Sequence, residues 1–361
     1  MRPNGQRMKP SSDQRGMEEE MISWNEFPMV NALINALINV FRHLALCRMF
    51  PRMVSIVVLA WIGCPSSVSA QTSSVTESPH TVWLAPAQRA STDSTWYPRA
   101  ITIKSGLIAS LDGQHLAIRL AGDDALTKIA AQRVIWVRSL DRSDAESTAV
   151  RLYLDGQYGD ALLGLINALG SEDDPSDRPP IWRQQWLSML AADAAWRTNR
   201  AEISLELVSQ LDQRSLAPMS LASLPIAWTP MPRERAVAAI TAATTKTNEQ
   251  SDAVRLVCAS WLLESPTQRA EAEAILDQLA ANTKRPLIAG LVDQLRWKLA
   301  SPRDVTDRWI QWEQSINDLP PSLQAGPLEL LVAKMESAGL AEDALRIKLS
   351  LELTPLVEKV E

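Results

Sequence analysis

The stretch Ala149-Val150-Arg151-Leu152-Tyr153-Leu154-Asp155-Gly156-Gln157-Tyr158-Gly159-Asp160-Ala161-Leu162-Leu163-Gly164-Leu165-Ile166-Asn167-Ala168 decides how the larger part of this chain is read. Two runs of helical period flank Asp155-Gly156, and a glycine there can turn the chain where other residues resist. Small Ala149 and Ala161 let two antiparallel helices approach closely, while Tyr158 and Leu165 fill the space beside them. From Asp144 to the C-terminus the helical period persists, which predicts roughly eleven helices of about 12 to 17 residues joined by short links. Short links favour antiparallel neighbours.

The spacing Ala149, Leu152, Gly156, Tyr158, Ala161, Leu165, Ala168 resembles the small-large-Gly-aromatic-Ala-large-Ala pattern of the tetratricopeptide family. Near the C-terminus Gly339, Ala341, Ala344 and Leu351 recur at related spacing, with Pro355 close to where that family ends a repeat. The repeats are degenerate: Asp173 stands where the first unit would carry Pro, and the intervening residues align only loosely. The resemblance implies a mainly α fold, an antiparallel helical-hairpin array over 144–355, and recognition of a protein or peptide. An irregular helical bundle is the alternative architecture.

Other boundaries follow from local chemistry. Ser265-Pro266-Thr267-Gln268 and Ser301-Pro302-Arg303-Asp304 each place a capping hydroxyl before a proline at the first helical position. Gly339 suits a left-handed helix end. Two interruptions break the pattern, 172–180 and 216–232, and the four prolines of the second mark it as a hinge between helical layers.

Before the helices the period is that of strands. Ile101 and Ile103 alternate, as do Leu116, Ile118 and Leu120, and Val134-Ile135-Trp136-Val137 is a β-branched run. Asp112-Gly113 signals a hairpin, on the expectation that its glycine takes a positive φ, and Gly122-Asp123-Asp124 marks a second turn. Residues 96–139 therefore read as a small all-β module similar to SH3-like or Sm-like barrels. Residues 71–95, rich in Ser, Thr, Ala and Pro, read as a flexible tether.

At the N-terminus, the apolar run 54–64 follows Arg48 and Arg52 and precedes Val68-Ser69-Ala70, the layout of a signal peptide over 49–70 cleaved between Ala70 and Gln71. The run is too short to span a bilayer comfortably. Met49 then becomes the better start, and 1–48 an untranslated or disordered extension. Trp61-Ile62-Gly63-Cys64 loosely resembles a bacterial lipobox, so lipidation of Cys64, or an anchor formed by an uncleaved segment, stands as the alternative to an exported periplasmic or extracellular protein. Membrane contact is expected only through these residues.

Composition narrows the chemistry. The 361 residues are 46% hydrophobic and carry a net charge of −6, which argues against nucleic acid as a partner. Three Cys and three His supply little for a metal site, and no metal or other cofactor is expected. His80, in the tether, and His115, beside a hairpin turn, read as surface residues. Cys258, in an apolar helical run, reads as a small core residue. No GxSxG, P-loop, HExxH or paired CxxC motif occurs. Trp is abundant, with 13 copies. Trp182 with Trp186, and Trp309 with Trp312, share helix faces, so an exposed pair could stack on a sugar or anchor a peptide, while interhelical filling is the plainer reading. These features favour an exported, non-enzymatic binding or scaffold protein. An extracytoplasmic enzyme or carbohydrate-binding protein with a Trp-rich surface is the alternative.

Overall fold

The structure is a computed structural model and describes residues 79–86, 101–139, 141–169, 179–246 and 251–353. The expected signal peptide, its Ala70/Gln71 cleavage site, Cys64 and most of the tether lie outside the described residues. The described residues are mainly helical, with one small antiparallel sheet of five strands.

The strands are β1 (His80–Leu84), β2 (Thr102–Leu111), β3 (His115–Leu120), β4 (Leu126–Ala130) and β5 (Val134–Arg138), ordered β4-β3-β2-β1-β5. Alternation buries Val82, Leu84, Leu116, Ile118 and Val137 on one face. β1 corrects the tether reading, because it is an inner strand paired on both sides. Its five residues carry the expected in-out period, which the polar composition of the surrounding stretch dilutes. The Asp112-Gly113 hairpin forms between β2 and β3, but Gly113 is not among the residues of positive φ. Asp112 Oδ1 instead accepts from the Gln114 and His115 amides at 2.7 and 2.9 Å, closing the turn by a side chain. Gly113 is needed for close approach, since a Cβ there would lie 2.7 Å from Ser215 Oγ.

Twelve α-helices follow among the described residues: α1 (Asp144–Leu154), α2 (Tyr158–Asn167), α3 (Ile181–Arg197), α4 (Ala201–Asp212), α5 (Pro218–Leu221), α6 (Arg233–Thr245), α7 (Asp252–Leu262), α8 (Arg269–Asn282), α9 (Pro286–Leu295), α10 (Pro302–Asn317), α11 (Ala325–Ser337) and α12 (Ala341–Leu353). None is long and apolar enough to cross a membrane. Neighbours in sequence pack on one another through α1–α4, through α6–α9 and through α10–α12, with α4 joined to α7 and α9 to α11.

Three of these pairs are closed by the same device. After α1, α3 and α11 the chain passes through Gly156, Asn199 and Gly339 at φ of 76°, 62° and 83°. In each, the amide of the next residue reaches back five positions, Gln157 to Leu152, Arg200 to Ala195 and Leu340 to Met335, at 2.8–2.9 Å. The two glycines behave as the sequence predicts. Asn199 fills the same place because its short polar side chain tolerates the left-handed region. Across α1 and α2, Ala149, Ala161, Leu165 and Ala168 are buried, and Leu152 and Tyr158 are half-buried. Gly164 is the closer contact: a Cβ there would come within 2.8 Å of that of Ala149.

Ser301 caps α10 in a full capping box with Asp304. Ser265 does not cap a helix; its hydroxyl meets that of Thr267 at 2.9 Å, and α8 starts later, at Arg269.

The 216–232 interruption is itself part of the core. Leu216, Met219, Leu221, Leu224, Ile226 and Ala227 are all buried. The backbone exposed by losing helical bonds is satisfied by side chains: Trp261 Nε1 donates to the Pro225 carbonyl at 2.8 Å, the Ala227 amide donates to Ser260 Oγ at 3.1 Å, and Lys298 Nζ donates to the Ala227 carbonyl at 2.7 Å. Prolines, which bring no amide donor, make such a segment easier to bury.

Candidate functional site

The Trp side chains weighed as a platform are mostly seams between elements, as the plainer reading has it. Trp182 and Trp186 of α3 are 5% and 4% exposed, which removes them as a sugar or peptide platform. Their rings meet the sheet edge-on, Trp182 against His80 at 5.7 Å and Trp186 against Trp136 at 5.4 Å. His80 is accordingly buried rather than on the surface. Beside it, Arg183 donates to Asp141 at 2.6 Å and to the buried Glu146 at 3.3 Å, so a charged network fastens α3 to α1 and to the residues after β5. Burial pushes the Glu146 carboxyl up, against the pull of Arg183 and Arg142. Trp309 and Trp312 of α10 are half-buried. Trp312 stacks on Trp297 at 4.8 Å, and Trp309 lies under the guanidinium of Arg346 at 5.7 Å.

A second cluster, which the sequence pattern does not single out, gathers functional groups from four helices. The turn at Gly156 sets Tyr158 beside Tyr153, ring centres 5.5 Å apart. Tyr153 donates its hydroxyl proton to Asp193 Oδ2 at 2.5 Å, and Arg197, one turn further along α3, donates Nε–H to the same oxygen at 2.6 Å. Arg197 lies over Tyr158 at 4.9 Å, and Arg235 of α6 over Trp196 at 5.3 Å. Arg235 also donates to the Arg197 carbonyl at 3.1 Å.

Burial governs the electrostatics here. It raises the Asp193 carboxyl, against Arg197 and Tyr153, and holds the Tyr153 phenol well above its usual range, aided by the Asp193 charge. Burial disfavours the Arg197 charge, yet Asp193 and Tyr153 outweigh it and keep the guanidinium firmly protonated. The Arg235 pKa is lowered by burial and by the like charge of Arg197. Glu329 of α11 lies within the field of Arg197.

The cluster is rich in donors and poor in acceptors. Asp193 is committed to Tyr153 and Arg197, while the buried Arg235 Nε and Trp196 Nε1 meet no hydrogen-bond acceptor among the described residues. The Arg-Tyr-Trp composition of the cluster is that of binding hot spots. One signal for it was present in the sequence: Asp193 interrupts an alanine-rich apolar run at a position the helix must bury, four residues before Arg197.

Among the described residues, no group of three or more His, Cys, Asp and Glu could hold a metal ion. Compared with known protein families, curated proteins and solved structures, the chain matches none.

Proposed function

We propose that the chain is an exported, non-enzymatic binding or scaffold protein in which helix pairs, stacked as a degenerate tetratricopeptide-like array, recognise a protein or peptide. The observation that carries this reading is the Tyr158, Trp196, Arg197 and Arg235 cluster, in which guanidinium groups of α3 and α6 lie over aromatic rings of α2 and α3. Support for the helical-hairpin arrangement comes from the three identical turns and from sequential packing of neighbours. The small antiparallel sheet of five strands, ordered β4-β3-β2-β1-β5, supports the reading of the β module as SH3-like or Sm-like.

Immobilised full chain captures a partner from an envelope extract, and Arg235→Ala and Tyr158→Ala, with unchanged circular dichroism, lose that partner. Capture unaffected by both substitutions overturns the assignment of this surface. Terminal sequencing of the native protein is expected to give Gln71 as the first residue; peptides from 18–42 in the same sample defeat the reading of 1–48 as an untranslated extension.

A further inference from the structure

A different part of the molecule holds a cleft of about 320 Å3 between the end of α7, the start of α8, the 3-10 turn Arg296–Leu299 and α11. This volume falls in the range of small-molecule sites. Trp228, Leu263 and Leu330 give it an apolar wall, and Glu264, Arg269, Lys298 and Lys334 line the remainder.

The charges do not balance. Lys298 is paired with Glu264, and that carboxylate also accepts from the Met231 amide at 3.2 Å. Lys334 donates to the carbonyls of Lys298 and Ala300 at 2.6 and 3.1 Å and has no carboxylate partner among the described residues. Arg269 has none either. Three cations against one anion leave two positive charges uncompensated, in a chain whose net charge is −6. Burial and the neighbouring Lys298 and Arg269 charges lower the Lys334 pKa, and burial lowers that of Lys298 against the pull of Glu264. Clustering like charges at a half-buried site is unfavourable unless a counter-charge arrives.

The donors left over set the shape of that counter-charge. An ammonium has three N–H groups. Among the described residues Lys298 uses one on Ala227 and one on Glu264, and Lys334 uses two on carbonyls, so each keeps one, and the Arg269 fork makes no bond there. Donors from three elements suit a tetrahedral oxyanion, and a phosphomonoester carries about −1.5 to −2 at neutral pH, close to the surplus. A carboxylate would leave one positive charge unmatched. The cavity also exceeds what a bare phosphate fills, and its spare wall is apolar. We infer that this cleft binds a small organic phosphomonoester, its phosphate held by Arg269, Lys298 and Lys334 and its organic part lying against Trp228, Leu263 and Leu330. The inference concerns a separate surface and does not rest on the peptide-binding reading.

Calorimetric titration of the full chain tests it, with phenyl phosphate as the probe and benzoate as the monoanionic control. Saturable binding of phenyl phosphate is expected, about tenfold or more tighter than benzoate, in keeping with the strength of charge-assisted hydrogen bonds. Affinity should fall severalfold from about pH 7.5 to about pH 5, because the second phosphate pKa lies near 6 and a fall in pH removes no charge from the lysines. Arg269→Gln, an exposed change that spares the fold, should weaken phenyl phosphate about tenfold. Lys334→Met should weaken it further, read only where the melting curve stays cooperative. Arg235→Ala, in the other cluster, should leave it unchanged. Absence of saturable binding, equal affinity for benzoate, or an Arg269→Gln chain that binds as tightly as the parent would each overturn the inference.

Discussion

Three residues separate α1 from α2, whereas twenty separate α4 from α6. The short link needs little from the remainder of the molecule. A left-handed residue and one long backbone bond reverse the chain, and the helices then bury each other's faces. The long link cannot satisfy itself in that way. It is itself core, with Leu216, Leu221, Leu224 and Ile226 buried and its backbone tied to Ser260, Trp261 and Lys298. Each such apolar side chain contributes about 1.5–3 kcal/mol when removed from water. A tight turn is thus a local solution, and the proline-rich crossing is a collective one that depends on helices more than thirty residues away in sequence.

Breaking the collective solution should cost most. Trp261→Ala removes a fully buried indole and the donor to Pro225, and should destabilise the chain by about 3–5 kcal/mol in denaturant titrations while exposing 216–228 to proteases. A loss below about 1 kcal/mol would show that the crossing is fastened elsewhere. The seam between hairpins should respond next, through pH. The folded-state pKa of Asp193 is raised from 3.8 and that of Glu146 from 4.5, so the folded chain holds these protons more tightly than the unfolded chain. Their contribution to stability is full below those values and is lost as pH rises through the raised ones, a tenfold tighter hold on one proton being worth about 1.4 kcal/mol. Asp193→Asn should flatten that decline in pH-dependent melts; a stability that climbs across the same window contradicts the burial of both groups.

Smaller effects sharpen the contrast within the short links. Gly164→Val drives a side chain into Ala149 and should cost about 1–3 kcal/mol. Asn199→Gly, at a φ of 62°, should raise stability by roughly 0.5 kcal/mol in the same denaturant titrations, since glycine meets no steric penalty there. A destabilising outcome would mean that the Asn199 side chain does more than tolerate the turn.

The features legible in the sequence were those set by neighbours along the chain. Gly156, Gly339 and the Ser301 cap belong to signals a few residues long, as do the alternating residues of β3 and the β-branched run of β5. Strand β1 escaped because five residues are too few to stand out in a polar stretch. The fate of 216–232 escaped for a different reason: proline content announces a break in a helix but not whether the break is solvated, which is decided by Trp261 and Lys298. The Tyr153, Asp193, Arg197 and Arg235 cluster draws on α1, α3 and α6, so no window of sequence contains it. Trp182 and Trp186 share a face as their spacing indicates, yet spacing does not say that the sheet covers it.

Cys258 sits in α7 three residues before Trp261 and is 0% exposed. A thiol sealed in the helix that anchors the crossing acts as a stopwatch for that region: reagent can reach sulphur only while α7 lifts away from its surroundings. Labelling rate at this one atom therefore times the opening of the packing around α7, with no dye or tag engineered in.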